Sequence, residues 1–467
     1  MQRYVLRMFA DEWKQWAPAI AVVSVISTML GLCIHQFAWT MAPSFRDAVA
    51  DAGVPLAEFQ ILSVTIFTII ALVSWVALTV VGHASVQSTR HSHALWLLLG
   101  ASPRAVFLST LLVLLLVSLC GATSGAIVSS ILSFWAIPAF NSEVSASVEL
   151  PRFTIAPWSP VAIIIASSLT TLIGGIIPAR RASHIQPGIA LRTSNQTNQS
   201  VKSSLIRVIF GLFFFMVAVA LVVASKFALQ LGSTSPGSMF NLSVNAGISA
   251  LFSVYLLCPE IVRFVFWILH KAFEKLGLVI PALGTRAAAD RAQINATTIA
   301  PLAAGLGGIG LLLCAVRSVA ATTQILQPGT STNLTDVWII VVVVIVSMLS
   351  TSAAVVSLSA RGRGREIALL QAAGMSAPQV RTLIIAESFA MSVAATFAAL
   401  VPVIISGLVC SFVSAAALNG NAVVVWPFLS MLLGLICSWI MMFMLLHIPT
   451  IAYLREGPGL QLREQGN

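Results

Sequence analysis

The sequence predicts an all-α integral membrane protein of about ten transmembrane helices, arranged as two pseudo-symmetric four-helix modules plus a central helix pair. Of the 467 residues, 58% are hydrophobic and only 9% are charged. Soluble domains carry roughly 25% charged residues, so this chain lacks the polar side chains that a water-facing surface needs. Long apolar runs and an internal repeat complete the case for this fold class.

The apolar runs are long enough to cross a bilayer, which requires about 20 helical residues. Two of them are much longer than a bilayer and are expected to tilt or to continue beyond it. The predicted spans are 18–40, 59–84, 105–136, 158–178, 205–226, 243–269, 298–321, 336–359, 380–415 and 425–448.

The basic charge has a topological explanation. The net charge is +10, and with a cytoplasmic N-terminus all but four of the 25 Lys and Arg residues fall on the inner side. The four exceptions are Arg46, Arg152, Lys226 and Arg317. This positive-inside pattern predicts a multi-pass protein of the bacterial plasma membrane with both termini cytoplasmic, among membrane lipids and without a nucleic-acid partner. An aromatic belt at the outer helix ends is predicted from Trp39, Trp135, Trp158, Trp338 and Trp426.

No residue pattern in the sequence predicts catalysis, a bound cofactor or a metal. A G-x-x-x-x-G-K-[ST] phosphate loop is missing, and the six cysteines lie in apolar runs without metal-ligand spacing, where they are expected to pack as small residues. His91 and His93 lie in a loop without further ligands. The glycine-rich run 305–310 lies in an apolar segment without a preceding strand, which favours close helix packing over a dinucleotide turn. Close packing is also expected at Gly121, Gly125, Gly174 and Gly175.

An internal repeat defines the modules. When Gly100 is aligned with Gly374, Ser102 meets Ser376 in the same register. Downstream, with a shift of only three residues between the two blocks, Ile177-Pro178 matches Ile448-Pro449, and Pro187-Gly188 matches Pro458-Gly459. Leu-rich helices alone would not keep polar, Pro and Gly positions in step.

The predicted domains are therefore a first module at 1–192, a linker with two intervening spans at 193–283, and a second module at 284–467. Residues 1–16 have one apolar face, which favours an interfacial helix that leads into the first span over a plain cytoplasmic start of that span.

Two basic loops, 85–104 and 360–381, are the candidate functional elements. In each, a short helix is predicted to end at a Gly, and a Ser caps the long helix that follows. The residues alone leave two functions open, a rigid handle for a cytoplasmic partner and a loop facing anionic lipid. The candidate residues are Arg90, Leu95, Gly100, Ser102, Arg104, Arg365, Glu366, Leu369, Gly374, Ser376 and Arg381.

Glu387 is the one acid that the sequence places well inside a spanning helix, near the inner end of the run 380–415. A proton-coupled transporter would need several such residues. Snorkelling or a polar contact between subunits is therefore favoured over a proton relay.

The second loop resembles the signature of a known family. The stretch from Arg365-Glu366 through Gly374-Met375-Ser376 to Val380 is similar to the signature loop of the FtsX-like permease family, the membrane subunits of MacB-type ABC transporters. The stretch 178–192 resembles that family's exit from its fourth helix. The loop 91–102 departs from the pattern because it lacks the Arg-Glu pair, and Thr450-Ile451 replaces the arginines expected after Pro449.

The resemblance implies a non-catalytic permease that works with two copies of a cytoplasmic ABC ATPase, as in bacitracin-type peptide exporters. ATP and Mg would be bound by those partners and not by this chain. The external loops 41–58 and 322–335 are short, which argues against a large external domain. The expected function is mechanotransmission that moves or extracts an amphipathic peptide or lipid. A scaffold that regulates cell-wall hydrolysis through an external partner, a link to a sensor kinase, and a secondary transporter remain alternatives.

Overall fold

The computed structural model describes residues 13–52, 96–98, 100–141, 149–183, 205–227, 235–328 and 363–456, with separate positions between 338 and 353. The regular secondary structure of these residues is helical, which confirms the predicted all-α class. The helices with described bounds are α1 (Trp13–Thr40), α2 (Pro43–Asp51), α3 (Pro103–Phe140), α4 (Ser159–Ser183), α5 (Leu205–Ser225), α6 (Pro236–Lys275), α7 (Val279–Asp290), α8 (Ala292–Leu326), α9 (Arg363–Ala372), α10 (Ala377–Ala417) and α11 (Phe428–Glu456).

Eight of these helices are long and apolar enough to cross a membrane, and they coincide with eight of the ten predicted spans. The predicted span 59–84 lies outside the described residues, as does most of 336–359, where the described positions are helical. Helices α3, α6 and α10 have 38, 40 and 41 residues. At about 1.5 Å per residue they reach about 57–62 Å, so each continues well beyond a hydrocarbon core of about 30 Å.

The chain divides into two compact units. The first contains residues 1–201 and 333–354, and the second contains 202–332 and 355–467. Helices α5 and α6, which the sequence assigns to an intervening pair, belong to the second unit because α6 packs along α5, α8 and α10. The division into sequence modules and their pseudo-symmetry stay predictions.

In the first unit, α1 packs along α3 and α4. A Cβ atom added at Gly121 would lie 2.6 Å from the Cβ of Val23, and one added at Gly125 would lie 2.5 Å from the carbonyl oxygen of Ser24. A Cβ atom added at Gly175 would likewise come too close to the Leu114 side chain. The close packing predicted at these three glycines is confirmed, and it matches the way that small residues bring helices together in lipid. Gly174 is buried.

A buried polar layer links α1 to the other helices of the first unit. The side-chain amides of Gln36 and Asn141 bond reciprocally at 3.2 and 3.3 Å. The preceding residue, His35, lies with Nδ1 2.8 Å from Ser159 Oγ and Nε2 3.3 Å from Ser130 Oγ. Buried polar side chains in a bundle need such partners, so this layer fixes the register of the helix ends.

The second unit is built around α8, which packs between α6 and α10. A Cβ atom at Gly307 would lie 2.9 Å from Pro402, and one at Gly310 would lie 2.5 Å from Val403. The glycine-rich run 305–310 therefore serves close helix packing, as the sequence predicts. Ser243 of α6 and Ser406 of α10 bond at 2.7 Å between their hydroxyl oxygens within the same core.

The connection from α10 to α11 is held by contacts with α8 and α10. The Ser318 hydroxyl accepts a hydrogen bond from the Val425 N–H at 3.0 Å. The Trp426 indole lies against Gly407, where an added Cβ would come within 2.5 Å of the ring. Trp426 is therefore half-buried against the protein, and its place in the aromatic belt stays a prediction. Trp39 is buried under α2 and Phe153, which corrects its assignment to the belt, whereas Trp135, Trp158 and Trp338 are exposed.

The structure describes only the last part of the predicted interfacial helix at residues 1–16. Residues 13–16 continue into α1 without a break, and residues 1–12 lie outside the described part of the chain.

Replacing Gly125 with Ala tests the close approach of α1 and α3. The added Cβ has no room, so we expect a loss of about 1–3 kcal/mol in the free energy of unfolding, measured by thermal unfolding in detergent. Gly237→Ala is the matched control, since nothing lies within 4 Å of a Cβ at that position. Equal unfolding midpoints for the two variants would contradict the packing.

Candidate functional site

The first predicted junction joins a helical turn to α3 through Gly100. Residues 96–98 are helical, and Gly100 has a φ of 89°, in the left-handed region that favours glycine. The Ala101 N–H donates to the Trp96 carbonyl at 2.9 Å, and the Gly100 N–H donates to the Leu97 carbonyl at 3.2 Å. These two bonds form a Schellman motif, which ends the helix. Ser102 then caps α3 by accepting a hydrogen bond from the Ala105 N–H at 3.3 Å.

The second junction repeats this geometry between α9 and α10. Gly374 has a φ of 93° and donates its N–H to the Gln371 carbonyl at 3.0 Å. The Met375 N–H donates to the Leu370 carbonyl at 3.0 Å. Ser376 is the N-cap of α10, and its own N–H donates to the Gln379 side-chain oxygen at 2.8 Å. The helix ends and caps that the sequence predicts are confirmed at both junctions.

Each junction also carries a proline in the first turn of its long helix, Pro103 in α3 and Pro378 in α10. Proline fixes φ at a position where no intrahelical N–H bond is lost. A left-handed glycine, a capping serine and an early proline therefore leave little bending freedom between the turn and the long helix. The Gly and Ser positions that repeat in the sequence at 100–102 and 374–376 thus also repeat in the backbone.

One side of the second junction packs against neighbouring helices, and the other side is exposed. Helix α9 packs against α11 and α10, with Ile367 and Ala368 buried. Leu369 points outward with 53% of its surface exposed. Gly374 and Ser376 are also exposed. This arrangement leaves one large apolar side chain and a run of backbone exposed beside the start of α10.

The remaining predicted residues of the site fall into three groups. Arg104 and Arg381 are exposed in the first turns of α3 and α10. Arg365 and Glu366 lie in α9, and only their helical backbone is described. Arg90 and Leu95 lie outside the described residues, as do His91 and His93. Whether any of these side chains binds a partner stays a prediction.

An ion pair inside the apolar spans was missed by the sequence reasoning. Arg207 of α5 and Glu260 of α6 form a salt bridge of 2.8 Å, with side-chain exposures of 30% and 33%. Glu260 lies inside the predicted span 243–269, so Glu387, which is half-buried in α10, is not the only acid within a helix. Opposite charges near the same end of two consecutive spans were the signal that could have found this pair.

The described residues hold no group of three His, Cys, Asp or Glu side chains that could share a metal ion. All six cysteines are free thiols, and three of them are buried in the second unit. The described residues instead contain two helix junctions of the same geometry.

The comparison with known proteins identifies part of the chain. Residues 64–187 match the protein family described as FtsX-like permease C-terminal. This stretch is an FtsX-like permease module. Such a module implies the permease of an ABC transporter, and permeases of this family are typically non-catalytic. No curated protein and no solved structure matches the chain.

The FtsX-like module contains the first junction and all of α3 and α4. The loop whose sequence departs most from the family pattern thus lies inside the matched stretch. The more specific resemblance at 365–380 lies outside it and stays a prediction.

The left-handed glycines can be tested by substitution. Gly100→Ala and Gly374→Ala should each lower the free energy of unfolding by about 1–2 kcal/mol, because the φ values disfavour a Cβ even though nothing lies within 4 Å of it. Gly374→Asn should cost less, since asparagine enters this conformation more readily. Thermal unfolding in detergent gives the comparison, and an alanine variant as stable as the native chain would be evidence against the junction geometry.

The Arg207–Glu260 pair predicts a charge-swap rescue. Glu260→Gln leaves the guanidinium without its carboxylate and should cost about 1–2 kcal/mol, less than the 3–5 kcal/mol of fully buried pairs because each side chain keeps partial exposure. The double variant R207E/E260R should recover most of this stability. Thermal unfolding and the amount of protein inserted in the membrane are the readouts. A double variant no better than the worse single variant would rule out a direct pair.

Proposed function

We propose that the chain is the permease subunit of an ABC transporter, in which cytoplasmic ATPase subunits act on the two junctions. The observation that carries this proposal is the junction geometry, repeated at Gly100–Ser102 and Gly374–Ser376, together with the FtsX-like module that contains the first of them. In this proposal the N- and C-termini are cytoplasmic and the chain itself binds no nucleotide. Two copies of the ATPase hold ATP and Mg.

The lengths of α3 and α10 support a mechanical role. When two ATPases close on ATP, the elements bound to them move together, and α9 passes that movement to α10 through a capped turn with little freedom. A helix of 41 residues spans about 62 Å, so a tilt imposed at one end reaches the far side of the bilayer. Movement of rigid helices between two packed arrangements is a common form of such transitions.

The substrate class we propose is an amphipathic peptide or lipid taken from the membrane. Between α6 and α8, apolar side chains and small residues, including Leu251, Val254 and Ala303, pack so closely that their crevice has no room for a water molecule. Ligand pockets for soluble molecules have about 300–1,000 Å³ and several polar groups. The outward faces of α3, α4 and α5 instead expose large apolar side chains, which suits a substrate that already resides in the bilayer.

A second candidate is a scaffold that transmits ATPase movement to an external partner. The folded segment around α2 favours it, because Phe45 and Val49 pack with Trp39 into a compact cluster at the helix ends of the first unit. Saturable binding of an extracytoplasmic protein to α2 would favour this function over substrate export. A secondary transporter would instead show flux driven by an ion gradient without any ATPase.

The test is an ATPase assay with the purified chain in nanodiscs. We expect no hydrolysis by the chain alone, and hydrolysis above that of the free enzyme when the cognate ATPase is added, meaning the ABC-type ATPase encoded beside the gene for this chain. Leu369→Glu should abolish this stimulation, because it places a carboxylate on the exposed apolar position of α9. Ala422→Glu is the matched control, since Ala422 is exposed beyond the opposite end of α10. Intrinsic turnover, or stimulation unchanged by Leu369→Glu, would contradict the proposal.

A further inference from the structure

One face of α6 continues past the start of α5. The two helices run antiparallel, since a Cβ atom added at Gly211 of α5 would lie 2.7 Å from the Leu257 side chain, and Arg207, one turn earlier in α5, bonds Glu260 at 2.8 Å. Helix α5 begins two residues before Arg207, so the last turns of α6 extend beyond it. The face of α6 that α5 covers up to Glu260 is therefore free of α5 in those turns.

Charged side chains and an aromatic ring alternate along this face. Arg263, Trp267, Lys271 and Glu274 follow Glu260 at steps of three or four residues, which keep side chains on one face of a helix. The four later residues are all exposed. The Lys271 ammonium lies 3.9 Å from the centre of the Trp267 ring, a cation–π contact that holds the charge beside the indole. These five residues are here called the charged face of α6.

Positive charge is in surplus around this face. Its charge is set by two acids, Glu260 and Glu274, and by four cations, which together give +2; the cations are Arg207, Arg263, Lys271 and Lys275. Glu260 is paired with Arg207. Arg263 and Lys275 make no hydrogen bond or ion pair with any residue that the structure describes. The surplus is therefore available to an anion.

The charged face begins where two apolar stretches end. Residues 236–259 of α6 and 208–225 of α5 contain no charged side chain. These stretches are about 36 and 27 Å long as helices, which matches a hydrocarbon core of about 30 Å. Trp267 is half exposed, and tryptophan is enriched where a membrane meets water. The charges therefore lie at the level of lipid headgroups.

The residues beside Arg207 show what surrounds the face. Ile206, Ile209 and Phe210 of α5 are each more than half exposed, and Phe264 of α6 is 51% exposed. In a helix that crosses a membrane, acyl chains cover such side chains. A molecule that reaches both these side chains and the cations has an apolar tail and an anionic head.

We propose that the charged face of α6, together with Arg207, binds the headgroup of an anionic phospholipid. The planar guanidinium of Arg263 can donate two parallel hydrogen bonds to a phosphate. Arg207 uses one N–H donor for Glu260 and keeps others. Lys271 adds a point charge one turn beyond Trp267. This lipid site does not depend on the proposed transport function.

The net charge selects among lipids. Phosphatidylglycerol carries one negative charge, and the surplus of +2 attracts it. Phosphatidylcholine carries a quaternary ammonium beside its phosphate, and that group would meet Arg263 and Lys271. Cations near an anionic membrane surface each strengthen its binding severalfold. We therefore expect the site to prefer phosphatidylglycerol to phosphatidylcholine.

The experiment follows the unfolding midpoint of the purified full chain in neutral detergent while lipid is added. Phosphatidylglycerol should raise the midpoint of the native chain, and phosphatidylcholine should not. The double variant R263Q/K271Q should need at least about tenfold more phosphatidylglycerol for the same rise, because it loses two cations of the site. The single variants R263Q and K271Q should each need an intermediate amount.

Two control variants separate the site from general charge. R263K/K271R keeps both charges and should respond nearly as the native chain does. R152Q/K226Q also loses two exposed cations, but neither lies on the charged face of α6, so its response to phosphatidylglycerol should match that of the native chain. Glycerol phosphate tests for a soluble ligand, and it should leave the midpoint unchanged because it has no acyl chains.

Three results would overturn the lipid site. The first is a response of R263Q/K271Q to phosphatidylglycerol that equals the native response. The second is equal stabilisation by phosphatidylcholine, which would show that charge does not select the lipid. The third is stabilisation by glycerol phosphate at the same concentration, which would show that the cations take a soluble phosphate and not a lipid.

Discussion

Close approach of helix backbones through small residues is the constraint on which each unit depends. Lipid chains are as apolar as leucine, so burial of apolar surface does not drive helices together inside a bilayer. Gly125 lets α1 and α3 meet at backbone distance, and Gly307 and Gly310 do the same for α8 and α10. Dispersion contacts accumulate along such seams, and they are lost where a larger side chain separates the helices.

The polar groups follow from the same constraint. A hydroxyl or amide in a dry core must find a partner inside the protein, so each polar contact also fixes a register. Ser243 and Ser406 bind two helices of the second unit to one another, and Gln36 and Asn141 do so in the first. The Arg207–Glu260 pair is the charged form of this rule, and it ties α5 to α6.

Local features of the molecule were predictable from the sequence, and contacts between distant segments were not. Apolar length predicts a span because the bilayer thickness is fixed, and a Gly followed by a Ser and a Pro predicts a helix end because these residues act on their own backbone. The pairing of Arg207 with Glu260 and the contact of Trp426 with Gly407 depend on how helices pack, which hydropathy does not encode. The grouping of α5 and α6 with the second unit has the same origin.

Helix α10 connects these observations to a mechanism. It packs on α6, α7, α8 and α11, so it cannot slide freely, and its small buried residues give it a smooth contact surface. In the proposed function, force applied at α9 reaches α10 through a turn whose hydrogen bonds and cap leave it little bending freedom. Closure of the ATPases would then tilt α10 as one body, and the movement would reach the opposite bilayer surface.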